Sequence, residues 1–191
     1  MNDKFYAGIG SRQTPNEILE EMILIAMVLA RTGFTLRSGG ADGADTVFEE
    51  GCNLAEGKKE IFLPWHGFNN NQSPLNSPSP QAYNIASKFH PSWGKLKNSV
   101  KSLHARNVHQ ILGRDLKTPC LFVVCYCTGS GGTRLALDVA IDNRIPIINL
   151  VNREKYSTLL LTFCEINKVF IEAQNEIQKN ISSTLESESA K

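Results

Sequence analysis

The stretch Arg37-Ser38-Gly39-Gly40-Ala41-Asp42-Gly43-Ala44-Asp45 lies between a short apolar run, Phe34-Thr35-Leu36, and a helical pattern that reaches about Gly57. A glycine pair between a strand and a helix lets the backbone turn sharply and approach a ligand closely. The helix behind it aims free N–H groups and the positive end of its dipole at the turn. Two further turns of this kind stand in the chain. Gly8-Ile9-Gly10-Ser11-Arg12 follows the first apolar run, and Thr128-Gly129-Ser130-Gly131-Gly132-Thr133 follows the most strand-like one.

The rest of the sequence alternates in the same way. Lys4–Gly10 reads as a strand. Residues 15–32 read as a helix, with Pro15 near the start, Ile18, Met22, Ile25, Ala26 and Leu29 at helical spacing, and Gly33 beyond the end. Strands are expected at 34–37, 60–64, 119–127 and 145–150. Helices are expected at 42–57, 81–89, 93–112, 132–143 and 156–179. Residues 65–81, rich in Asn, Ser and Pro, read as loop. This alternation predicts an α/β fold: a doubly wound, Rossmann-like parallel sheet of about five strands with helices on both faces. One domain is expected over 1–180, with a helical insertion at about 65–115 and a frayed polar tail at 181–191. In such a sheet the ligand sits beyond the carboxyl ends of the strands, where all three glycine turns fall.

Three turns on one edge point to phosphate or ribose binding by Gly10, Ser11 and Arg12, by Ser38, Gly39 and Gly40, and by Gly129, Ser130, Gly131, Gly132 and Thr133. Neither a Walker A motif nor G-x-G-x-x-G is present. Asp42 and Asp45 at the start of the second helix have two readings: capping and dipole compensation, or contact with ribose hydroxyls and acid/base work. Asp138 lies one to two turns into the helix after the third turn and is the other candidate carboxylate. On the helix at 93–112, Leu96, Val100, Leu103, Val108 and Ile111 form the apolar arc, His104 and Asn107 fall inside it, and Arg106 stands at its edge. Here too there are two readings. The polar residues form a hydrogen-bonded buried group, or Arg106 and Asn107 reach over the strand ends to a ligand. Trp65, Phe89 and Trp93 flank this region, either as core or as a stacking surface for a base.

Charge is unevenly spread. No Asp or Glu occurs between Ile61 and Arg114, a stretch that holds all four histidines, while the net charge of the 191 residues is only +1. A one-sign segment in a neutral chain suits an anionic ligand or a docking face, or is simply a solvated basic surface, and the near-zero total disfavours a general nucleic-acid coat. Cys52, Cys120, Cys125, Cys127 and Cys164 form no C-x-x-C pair, so no metal site is expected, and an odd number of them fits a reducing cytoplasm. No run is long and apolar enough for a membrane span, and Asp3, Lys4 and Arg12 interrupt any signal-peptide core. No serine or cysteine stands in a motif that pairs it with a histidine. No cofactor is expected.

The motifs Gly8–Arg12, Ser38–Asp45 and Gly131-Gly132-Thr133, the last followed by a helix and Ile145-Pro146-Ile147-Ile148-Asn149-Leu150, resemble those of the SLOG superfamily of Rossmann-like proteins over roughly residues 4–150. That group includes DprA/Smf, LOG-type nucleoside-monophosphate phosphoribohydrolases and SLOG sensor domains of antiphage defence. The compact form looks like bacteriophage or prophage members. The resemblance implies a nucleotide-derived small-molecule ligand, such as a cyclic ADP-ribose-like signal that a protein without an effector domain would sequester against host defence. It also implies a homo-oligomer. Its alternatives are LOG-like N-glycosidic hydrolysis and DprA-like binding of single-stranded DNA. LOG-type enzymes carry a glutamate shortly after the motif threonine, whereas Thr133 is followed by Arg134-Leu135-Ala136. Asp42, Asp45 or Asp138 would have to take over its part.

Overall fold

A computed structural model describes residues 4–129 and 131–156, together with Thr158, Thr162, Glu165 and Lys168. Up to residue 150 the expected strands and helices form in the expected order. They are β1 (Lys4–Gly10), α1 (Asn16–Arg31), β2 (Phe34–Ser38), α2 (Ala44–Leu54), β3 (Lys59–Ile61), α3 (Pro80–Lys88), α4 (Asn98–Leu112), β4 (Val123–Tyr126), α5 (Gly132–Asp142) and β5 (Ile147–Asn149). The sheet is entirely parallel, in the order β3-β2-β1-β4-β5. The chain works outward from β1 to β3 and then crosses back to β4, so the order reverses between β1 and β4. The two strands stay paired to Gly10 and Tyr126, but the connections leaving them run to opposite faces of the sheet and leave a crevice. Among the described residues no helix is long and apolar enough to cross a membrane.

Each face of the sheet has its own core. Tyr6, Leu36 and Val124 point to the face covered by α1 and α2, where they meet Ile18, Met22, Ile25 and Phe48. Ala7, Ile9, Val123 and Cys125 point to the other face, against α3, α4 and α5 through Ala82, Val108, Ile111 and Val139. The alternation of side chains along a strand thus feeds both layers. β1 approaches α2 closely because it lacks side chains where the two cross. A Cβ at Gly8 would stand 2.6 Å from Phe48, and one at Gly10 would stand 2.6 Å from Ala44.

Several elements depart from the sequence expectation; β3, β5 and α2 fall short of the expected 60–64, 145–150 and 42–57, and others differ in kind. The apolar run 119–127 is a strand only over Val123–Tyr126, because the Cys120 N–H donates to the Ile111 carbonyl and so ties the run's start to α4. The helix expected over 93–112 breaks into a 3-10 turn, Trp93–Lys95, and α4, since Leu96 and Lys97 are extended. The loop 65–81 contains a 3-10 turn, Phe68–Asn70. After β5 comes a 3-10 segment, Leu150–Tyr156. The apolar stripe of the expected closing helix, Leu159, Phe163, Ile166 and Phe170, lies outside the described residues, as does the tail.

His109 fastens the β3–α3 loop to α4. The Ser79 N–H donates to its Nε2 at 3.1 Å, so the ring proton sits on Nδ1, which donates to the Gly113 carbonyl at 2.9 Å. Phe62 stacks on the ring at 5.6 Å. Burial lowers the pKa of His109, against the pull of Gly113, and burial with the neighbouring His90 and Arg106 lowers that of His104. Both rings are therefore held neutral. Their contribution to stability is full above the unfolded-chain value of about 6.5 and is lost as the pH falls below it. The urea midpoint should drop between about pH 7.5 and 5.5, and His109→Gln should flatten that drop. A variant with an undiminished pH dependence would refute the assignment.

Candidate functional site

The site is built around a buried ion pair. Asp45, in the first turn of α2, points inward rather than to solvent. Its Oδ2 accepts from Arg106 Nη1 at 3.0 Å and from the Ala41 N–H at 3.4 Å, and the Gly10 N–H also supports the carboxylate. Arg106 comes from α4 and is itself buried, with Nη1 also donating to Gln110 Oε1 at 3.1 Å. Its guanidinium fills the space a side chain at position 39 would need, since a Cβ on Gly39 would overlap Nη1. Burial raises the Asp45 pKa and lowers that of Arg106, and their mutual attraction opposes both shifts. Attraction at this distance in a dry site favours the charged pair.

The turns after β1 and β2 interlock above this pair. The Ala44 N–H donates to the Ser11 carbonyl at 3.5 Å, and Gly43, at φ 81°, lies so close that a Cβ would stand 2.9 Å from Ser11 O. Only glycine meets both demands without strain. Ser38 is fully buried, with its hydroxyl donating to the Gly8 carbonyl at 2.8 Å.

Beside this lock a cleft of about 780 Å³ opens at the β1/β4 switch point, within the range of small-molecule sites. One wall is the β1–α1 turn, with Gly10, Ser11 and the exposed Arg12. The second is the start of α5, with Gly131, Gly132 and Thr133. The N-cap of α5 is Gly131, which has no side chain to cap the helix, and among the described residues a Cβ at Gly131 or Gly132 would meet nothing within 4 Å. The third is α4, whose Asn107 donates to the Gly132 carbonyl at 2.9 Å. On this wall His104 Nδ1, Arg106 Nε and Gln110 Nε2 are buried without a hydrogen-bond partner. Buried polar atoms in native proteins are almost always paired, so three such nitrogens on residues of one cleft wall stand out, although each is covered by its neighbours rather than open to the cleft.

Not all the sequence candidates meet here. Gly10, Ser11, Arg12, Asp45, Arg106, Asn107, Gly131, Gly132, Thr133 and Asp138 line the cleft. Asp42 does not. It is exposed and, with Gly40, borders a separate hollow of about 570 Å³, where its Oδ1 accepts from Asn69 Nδ2 at 3.2 Å. Ser38 and Gly39 lie beneath the surface as framework, Gly129 is exposed outside the cleft lining, and Ser130 lies outside the described residues. Asp138 pairs with Arg134 at 2.8 Å, one turn away on the same helix. Sequence reasoning passed over Gln110, Gln13, His90 and Leu103 as lining residues; Gln110 was findable, since it stands four residues from Arg106 on one helix face. Trp65 lies outside the cleft, edge-on to Phe68.

Among the described residues no group of three or more His, Cys, Asp or Glu is placed to hold a metal. Burial pushes the Cys120 and Cys125 thiols up to about 12, which leaves them unsuited to nucleophilic attack.

No family model and no curated protein matches the sequence. Solved structures do. DNA processing protein A from Helicobacter pylori, described through its single-stranded DNA binding mode, superimposes with a TM-score of 0.52 at 18% identity, over 88% of this chain and 81% of that one. The likeness is one of fold. DNA processing protein A (DprA) from Streptococcus pneumoniae gives a TM-score of 0.48 at 14% identity over 76% of this chain, which spans about half (49%) of that one. The molybdenum cofactor carrier protein of Chlamydomonas reinhardtii gives 0.41 at 14%, over 84% of this chain and 99% of that one.

Arg106→Ala should destabilise the protein by about 3–5 kcal/mol, because it leaves the Asp45 carboxylate buried and unpaired. Gly39→Ala should cost about 1–3 kcal/mol by pushing the guanidinium aside. Replacing both partners, Arg106→Leu with Asp45→Leu, should restore part of the loss in urea titrations. Single and double variants that match the wild type would show that the pair carries no strain-free locking role.

Proposed function

We propose that the chain binds a nucleotide or nucleotide-derived small molecule in the cleft at the β1/β4 switch point. The observation that carries this reading is the meeting, in one cleft, of a sterically open helix start at Gly131–Gly132 with the Ser11–Arg12 turn and the polar residues His104, Asn107 and Gln110 of α4. The N–H groups at Gly132 and Thr133 and the dipole of α5 suit a phosphate. Ser11 and Arg12 stand opposite with further donors. A cyclic ADP-ribose-like signal falls within the ligand class, and holding it without cleavage would amount to sequestration, the role expected of an anti-defence protein.

Binding is favoured over N-glycosidic hydrolysis by the state of the carboxylates. Asp45 is neutralised by Arg106, Asp138 is paired with Arg134, and Asp42 faces another hollow. None stands free beside the phosphate position, as an oxocarbenium-stabilising group must. A second reading, single-stranded DNA, draws on the acid-free segment 61–114, which supplies the α4 wall, and on the fold shared with the Helicobacter pylori protein.

The purified chain should retain nucleotides or cyclic ADP-ribose isomers and release them intact on heating, as read by chromatography of the supernatant. Gly132→Val has room for its side chain, so it should fold normally and lose at least about tenfold in affinity by blocking close approach to the N–H groups. Release of free base or ribose phosphate would favour the hydrolase. Binding of a labelled oligonucleotide alone, with steep salt dependence, would favour the DNA reading.

A further inference from the structure

A phosphate on α5 occupies one end of the cleft and leaves the other without a role. That end is walled by Phe89, His90 and Pro91, from the α3–α4 connection, and by Val100, Leu103 and His104 of α4. Its chemistry differs from that of the α5 end, because none of the six is a carboxylate, lysine or arginine. The His90 and His104 rings lie 5.2 Å apart, and Trp93 packs behind them, 6.2 Å from His104. His104 is 8% exposed and its Nδ1 has no partner. Packing alone does not call for a polar ring here, since a buried nitrogen without a partner costs free energy.

Helix geometry fixes where this corner stands. Asn107 touches the Gly132 carbonyl, and His104 and Val100 lie about 5 and 10 Å from Asn107 along the α4 axis. A ligand whose phosphate meets the α5 start therefore finds flat, apolar walls one to two helical turns away, with a sugar's reach between them. Such an order of anion, sugar and heterocycle is that of a nucleoside phosphate. A neutral imidazole presents one donor and one acceptor, which is what the edge of a base requires.

We infer that this corner is a nucleobase subsite, in which the base lies against Phe89 and His90 and its edge hydrogen-bonds to His104. The inference rests on the phosphate reading above. It assigns the β3–β4 connection a recognition role: the sheet edge holds the anion, and α3, α4 and their link select the base.

Calorimetry with AMP, UMP, ribose 5-phosphate and inorganic phosphate tests it. AMP should bind about tenfold or more tightly than ribose 5-phosphate, since stacking adds to the anion contact. His104→Ala and Phe89→Ala should bring AMP close to ribose 5-phosphate while leaving the sugar phosphate's affinity unchanged. In a Trp65→Phe background, which leaves Trp93 as the sole tryptophan, emission should change with AMP and not with ribose 5-phosphate. The wild-type comparison and the Trp93 signal need no substitution within the corner. Equal binding of AMP and ribose 5-phosphate with a silent Trp93 overturns the base subsite and leaves the phosphate site standing. No binding of AMP, ribose 5-phosphate or inorganic phosphate overturns both.

Discussion

The Asp45–Arg106 pair determines where α4 stands, and α4 forms one wall of the cleft at the β1/β4 switch point. A parallel sheet with helices on both faces leaves a crevice at its switch point whatever the sequence. How wide the crevice is, and what lines it, depends on the helix that crosses back from β3 to β4. Here that helix is anchored by a charge pair that also engages the Ala41 and Gly10 N–H groups, so one carboxylate gathers two glycine turns and a helix into one unit. Removing two ions from water is costly and returns little net stability. The return is positional, because an arginine that must sit over Gly39 and beside Gln110 cannot slide along the sheet.

That anchoring divides the glycines into two classes. Gly10, Gly39 and Gly43 are bare because something packs against them: Ala44, the Arg106 guanidinium and the Ser11–Arg12 backbone. Gly131 and Gly132 are bare and meet nothing. The first group builds the lock and the second leaves an approach. The turn Arg37–Asp45, which on its own resembles a phosphate cradle, is thus mostly framework, and the start of α5 offers the open N–H groups. The carboxylates follow the same division, since burial and pairing use up Asp45 and leave Asp42 facing a different hollow.

Much of this was legible in the sequence, and the remainder was hidden for physical reasons. The stripe Ile18, Met22, Ile25, Leu29 and the punctuation by Gly33 give α1 nearly to the residue. Alternating strands and helices give the parallel order. Asp42 and Asp45 could not be told apart, because both begin one helix and only the partner 61 residues away decides which turns inward. The wheel placed His104 and Asn107 within the apolar arc, and they are buried; Arg106, which it placed at the edge, is buried too, since α4 packs on the sheet, on α3 and on α5 at once. The break at Leu96–Lys97 and the late start of β4 within its apolar run both depend on tertiary hydrogen bonding and backbone choices that periodicity does not register.

The central claim is that the start of α5 receives an anion while the Arg37–Asp45 turn serves as framework. Backbone amide shifts during titration with ribose 5-phosphate address it most directly. The Gly132 and Thr133 amides should show the largest displacements, with smaller ones at Ser11 and Arg12 and little change at Asp42 and Asn69–Asn71. Largest shifts around Asp42 and Asn69, or none at the start of α5, would contradict the account.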